Sequence, residues 1–255
     1  MPLHLRLLLP ALCLASGFAL GYIHLAGLAA GAALGAWLLY AEKHLHPTLW
    51  TGLSLLACIA FAAHLVPGFS ATPLWSPRQL SVDAAPYALR LSWDKLLVGV
   101  TLLAWWLGQK TPSKPLSKNV WFTAALTLLG VPLMALALGL VGWQPKWPDG
   151  LWLWLAVNLG VAVLAEELLF RGLLQRHLVS WLGAWAGIGL TTLLFAAVHL
   201  PFSPLFAVVA GVAGVAGLGY GLIFHFSERI SLAIALHGAV NVLHLLLLSY
   251  PLRAA

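Results

Sequence analysis

Long apolar stretches separated by short polar gaps run through almost the whole chain. Nine can be drawn, at 6–23, 25–41, 48–66, 94–109, 120–142, 151–178, 184–199, 205–226 and 231–250. A helix needs about 20 apolar residues to cross about 30 Å of hydrocarbon, and most of these runs approach that length. The second and fourth are short, and fit a re-entrant or interfacial segment as well as a span. None alternates as barrel strands do, and only helices or closed barrels satisfy their backbone in lipid. The pattern predicts an all-α fold, a polytopic transmembrane helical bundle of about eight to nine spans.

Composition strengthens this reading. Apolar residues make up 62% of the chain and charged residues 8%, with a mean hydropathy of +0.94. A soluble domain carries about 25% charged residues, so most of this outer surface must face lipid. Arg6 precedes an apolar run ending in the small residues Ala15, Ser16 and Gly17, which has the outline of a signal peptide. The second run follows almost at once, which favours a retained first span. Cys13 and Cys58 fall in separate spans and read as packing residues.

The net charge of +6 is scattered over loops, with one cluster at Lys110, Lys114 and Lys118. That distribution does not suggest nucleic acid. Basic loops favour the cytoplasmic side. Placing the cluster there gives an N-in, C-out chain with Arg6, Lys43, Arg171, Arg176 and Arg229 inside. Arg78, Arg90 and Lys146 then fall outside, so the rule is met in part. The expected location is an integral, multi-pass one, in a prokaryotic cell (inner) membrane.

A Pro- and Lys-rich linker at 110–119 divides the chain softly. Residues 1–110 hold four spans of unassigned role and a long polar loop, 67–93, with four prolines. Residues 120–250 hold five spans and nearly all the intramembrane polar chemistry. Trp143, Trp147, Trp152 and Trp154 suit an aromatic belt at the membrane interface. Gly211, Gly214, Gly217 and Gly221 suit close approach of the eighth helix to a neighbour. No internal repeat supports transporter-type symmetry.

Charged groups inside a span are costly, and by default mark function or a buried pair. The sixth run contains Ala165-Glu166-Glu167-Leu168-Leu169-Phe170-Arg171. Glu167 and Arg171 are four apart and share a helical face, so they can pair. Glu166 lies about 100° around the helix with no sequence-local partner. Desolvation must protonate it, or another helix must hold it. The next run ends in Phe195-Ala196-Ala197-Val198-His199, and the last carries His237 and Asn241 one turn apart. A lone buried histidine is more often a hydrogen-bonded core residue than a catalyst. Polar positions in three successive spans shift the balance. Counting from the loops at 1.5 Å per residue puts Glu166, His199 and His237 about 18, 24 and 12 Å deep, all in the middle of a bilayer.

At these residues the chain resembles the CPBP family of intramembrane endopeptidases, which includes CAAX prenyl proteases and bacteriocin-processing or Abi-like self-immunity proteins. The family's motifs are a Glu-Glu-x-x-x-Arg helix, a Phe-x-x-x-His helix and a later His-x-x-x-Asn/Asp helix. Here they read Glu166-Glu167 to Arg171, Phe195 to His199, and His237 to Asn241. The resemblance covers about 120–250, making that region a CPBP-like catalytic core. It implies a glutamic-type peptidase in which Glu166 and His199 activate water while His237 and Asn241 stabilise the oxyanion. Glu167, Arg171 and Phe195 would orient them. The implied partners are a membrane-anchored peptide or prenylated protein and the lipid bilayer, with no cofactor.

Three alternatives stay open. One Glu and two His form the ligand set of many catalytic zinc sites, although His-Glu-x-x-His is missing. A non-catalytic membrane binding or immunity protein could keep the same residues as a polar network. A transporter could use Glu166 as a proton site. Among the other histidines, His44 and His46 suit a solvated loop, and His64 and His225 suit packing or interfacial positions. His244, seven residues after His237, could line the same cavity.

Overall fold

The computed structural model describes residues 1–110, 113–200 and 206–253. Thr111 and Pro112 of the linker, and residue 205 at the start of the eighth apolar run, lie outside the described residues. Among the described residues, the nine apolar runs appear as nine helices. They are α1 (Leu3–Ala19), α2 (Leu25–Tyr40), α3 (Pro47–Ala62), α4 (Trp93–Trp106), α5 (Lys118–Ala137), α6 (Leu151–Leu182), α7 (Ala184–Ala197), α8 (Phe206–Ser227) and α9 (Ile230–Leu247). The chain is a helical membrane bundle.

Five stretches of the described residues are long and apolar enough to cross a membrane: Leu25–Lys43, Lys118–Ala137, Leu151–Leu182, Val208–Ser227 and Ile230–Leu247. α1, α3 and α7 are apolar but shorter. The 14 residues of α7 cover about 21 Å at 1.5 Å per residue. The expectation of eight to nine full spans overshoots because apolar residues continue past the helix ends. Leu65 and Val66 follow α3, and Val198 follows α7, without extending either helix.

The described residues fall into two compact units. The first comprises 1–74, 90–110 and 156–174: α1 to α4, a two-stranded pair and the middle of α6. β1 (Ala71–Pro73) and β2 (Arg90–Ser92) run antiparallel, with Thr72 opposite Leu91. They lie within the stretch expected to be a plain loop. α4 is the axis of this unit, packing against α1, α2, α3 and the middle of α6. Leu97, Val98 and Leu102 on α4 are fully buried, and Trp50 packs on Trp105 with ring centroids 5.6 Å apart.

The winding of α6 is uneven. Asn158–Val163 and Leu168–Gln175 are π-helical, and Leu164–Glu167 between them is α. π turns are rare and often sit at functional positions, because the widened turn re-aims the side chains around it.

The second unit comprises 75–89, 111–155 and 175–255, with α5, the two ends of α6, and α7 to α9. α8 is its axis, packing against α7, α5 and α9. A side chain at Gly219 would collide with Thr127 of α5, so Gly219 sets the tight crossing, whereas Gly211 faces open space. The small-residue contact thus lies further along α8 than the glycine spacing suggested. On α5, Phe122, Leu126, Leu129 and Leu133 are all exposed. Their spacing of four, three and four makes one apolar stripe, the face a lipid-exposed helix presents.

Of the four expected interfacial tryptophans, Trp143, Trp147 and Trp152 are exposed. Trp154 is instead buried and donates from Nε1 to the Tyr250 hydroxyl at 3.1 Å. Cys13 and Cys58 are buried free thiols.

Candidate functional site

In the second unit, residues from α5, α7, α8 and α9 enclose a cavity of about 240 Å³. His199, His237 and Asn241 all line it. Most of the remaining wall is apolar. Val131 and Ala135 come from α5, Val212 and Ala216 from α8, and Leu140, Val141 and Leu248 form one packed cluster. A water molecule occupies about 30 Å³, so the space holds water beside a small substrate group.

Helix ends and ring contacts set the polar groups in place. α7 stops at Ala197, which leaves His199 two residues beyond its last turn. His199 Nδ1 lies 2.7 Å from the Phe195 carbonyl oxygen, one helical turn back. A carbonyl only accepts, so Nδ1 carries the hydrogen, and the neutral ring keeps its lone pair on Nε2. The His199 ring also packs on Phe195, with centroids 4.7 Å apart.

His237 is buried and stacks on Tyr220, with centroids 4.5 Å apart and planes within 15°. Phe195 meets both rings edge-on, at 6.1 Å from His237 and 6.2 Å from Tyr220. Such a box holds the imidazole plane on two sides and leaves its nitrogens to define the polar direction. Asn241 follows one turn later on α9 and faces the same cavity. His244 lines it as well, with Nε2 2.9 Å from the Ser249 carbonyl oxygen.

The first unit holds the carboxylates. Glu167 and Arg171 pair at 3.0 Å, both side chains fully buried, as their spacing predicted. Glu166 meets Lys95 of α4, with Nζ 2.8 Å from Oε1. Of the two fates expected for Glu166, protonation by burial or capture by another helix, the geometry supplies the second. Gly99, one turn after Lys95, lets the α4 backbone come within ordinary contact of Ala165. Within each unit, among the described residues, no three His, Cys, Asp or Glu side chains cluster as a metal ligand set.

Sequence reasoning missed Lys95 and Tyr220. Lys95 was visible as a charged residue inside the fourth apolar run, but its place near the start of that run suits an interfacial position equally well. Tyr220 carries no local signal, because its ring gains its role from α9.

Comparison with known proteins fits this arrangement. Residues 148–243 match the family model of the Rce1-like type II CAAX prenyl endopeptidases. The matched stretch includes Glu166, Glu167, Arg171, Phe195, His199, His237 and Asn241, and excludes Lys95 and His244. No curated protein and no solved structure matches the chain. Through its domain at 148–243, this membrane protein belongs to the CPBP and CAAX protease family.

Proposed function

We propose that the chain is a glutamic-type intramembrane endopeptidase. It hydrolyses a peptide bond in a membrane-anchored or prenylated substrate. Glu166 and His199 take a proton from water as its oxygen attacks the scissile carbonyl. His237 and Asn241 donate hydrogen bonds to the resulting oxyanion. The proton then passes to the leaving amine as the C–N bond breaks, so no covalent enzyme intermediate and no Ser or Cys nucleophile is needed.

The observation that carries this reading is the shared cavity of His199, His237 and Asn241 inside the family-matched domain. Its chemistry suits the assigned roles. His199 presents an Nε2 lone pair suited to accept a proton. His237, held by stacking, and Asn241 are fixed donors, and one such donor is worth about 10²–10³ in kcat. Glu167 and Arg171 neutralise each other and serve to hold α6 in place.

The test uses the full chain in lipid and an S-farnesylated peptide ending in a Cys-aliphatic-aliphatic-X quartet. Wild-type protein should release the last three residues, and Glu166→Gln and His199→Ala should each lose at least about 10²-fold in kcat. Cleavage by both folded variants at the wild-type rate would defeat the peptidase reading. Activity that disappears on chelation and returns with zinc would replace the metal-free mechanism by a metal-dependent one.

A further inference from the structure

We propose that Lys95 is a positioning residue for Glu166, which makes the N-terminal helices part of the reaction machinery rather than an anchor alone. This inference rests on the peptidase reading above. Three contacts within the first unit carry it. The Lys95 ammonium lies 2.8 Å from Glu166 Oε1, across two helices, with both side chains largely removed from solvent. Asp94 fixes the start of α4: its Oδ1 accepts the Lys95 backbone N–H at 2.8 Å, and its Oδ2 lies 2.7 Å from His64 Nδ1. Gly99, on the same α4 face one turn on, holds that face against Ala165 beside Glu166.

The neighbouring charges are already assigned. Asp94 pairs with His64, and Glu167 pairs with Arg171. Towards the far end of α4, Glu42 takes Trp105 and Gln109, and Arg6 donates to the Ala104 carbonyl. Lys95 is therefore the cation that α4 aims at Glu166. A glutamate on an apolar helix has several rotamers of similar energy. An ammonium held by a second helix selects one, and fixed orientation of a reacting group is worth orders of magnitude in rate. His64 and Asp94 act one step further back by holding the helix start that carries Lys95.

The experiment measures kcat and KM separately, on the same farnesylated peptide, for the full chain in lipid. Lys95→Met should lower kcat by about 10²-fold and leave KM within about twofold, the signature of a mispositioned reacting group. Lys95→Arg, which restores a cation, should recover much of that loss. So should Lys95→Cys after aminoethylation, which rebuilds an ammonium of nearly the same length. Wild-type kcat in Lys95→Met, or equal losses in Lys95→Met and Lys95→Arg, overturns the proposal. If Lys95→Met fails to fold, the double variant Lys95→Met/Glu166→Gln decides. Recovery of folding shows that Lys95 answers the Glu166 charge, and continued failure makes Lys95 a packing residue and ends the inference. An inactive Glu166→Gln beside a fully active Lys95→Met sinks this inference alone. An active Glu166→Gln, or a wild-type chain that leaves the peptide intact, sinks the peptidase reading and this inference with it.

Discussion

The two units place polar groups inside an apolar chain by opposite means. The first uses opposite charges: Lys95 with Glu166, Glu167 with Arg171, and His64 with Asp94. The second uses groups that need carry no charge, His199, His237, Asn241 and His244, arranged around open space. Removing one member of a buried ion pair leaves the other uncompensated, so paired charges are rigid and unforgiving. Imidazoles and an amide around a cavity can lose a member while the rest keep water or a backbone carbonyl. The first arrangement suits holding a carboxylate in one place, and the second suits receiving a substrate and a developing charge.

The contrast can be broken in three ways, taken from the largest effect down. Glu167→Leu should destabilise the chain by about 3–5 kcal/mol, because it strands the buried Arg171 guanidinium. The double variant Glu167→Leu/Arg171→Leu should regain most of that loss, as read from thermal unfolding in detergent. A double variant no better than the single would mean that the pair contributes more than mutual neutralisation. Asn241→Leu, in the cavity, should show the reverse profile. Its kcat should fall about 10²–10³-fold, equivalent to about 2.7–4 kcal/mol of lost transition-state stabilisation, with a far smaller change in unfolding. A large loss of stability with catalysis intact would make the cavity residues a structural network.

The smallest effect concerns Asp83, in the loop of the second unit. It accepts hydrogen bonds from Ser249 Oγ and Gln144 Nε2, and pairs with Arg253 at 3.0 Å. Partial loss of water works against its charge. The Ser249 hydroxyl, its own backbone N–H, the Arg253 charge and Gln144 outweigh that effect and hold its pKa below the usual carboxylate value. A carboxyl with a folded-state pKa below its unfolded value stabilises the fold above about pH 4, and that stabilisation fades as pH falls through the folded value. Asp83→Asn should therefore lower the melting temperature slightly at pH 7 and flatten its decline between about pH 4 and pH 2. An unchanged decline would place the acid sensitivity elsewhere.

How much was legible in the sequence depends on the range of the forces involved. Apolar runs mark helices because lipid leaves the backbone no other partner, so nine runs became nine helices among the described residues. The Glu167–Arg171 pair was legible because its partners sit one turn apart. Lys95 and Glu166 are 71 residues apart and belong to different helices, so no periodicity links them. The Tyr220–His237 stack was hidden for the same reason. Span number was overestimated because hydropathy does not mark where a helix stops, as Val198 and His199 beyond α7 illustrate. The fine winding of α6 was hidden too, since a 3.6-residue pattern reads straight through a π turn.

That winding bears on how the chain tolerates change. A π turn holds about one residue more than the α turn it replaces. Deleting a single residue from Asn158–Val163 offers the helix an ordinary α register there, and rotates the C-terminal part of α6 by about 100° relative to its first turns. Glu166 and Glu167 would then trade directions, one turning away from Lys95 and the other away from its settled surroundings. The chain should accept many substitutions in this stretch but no change of length, so that the count of residues between Leu151 and Glu166 becomes a constraint in its own right.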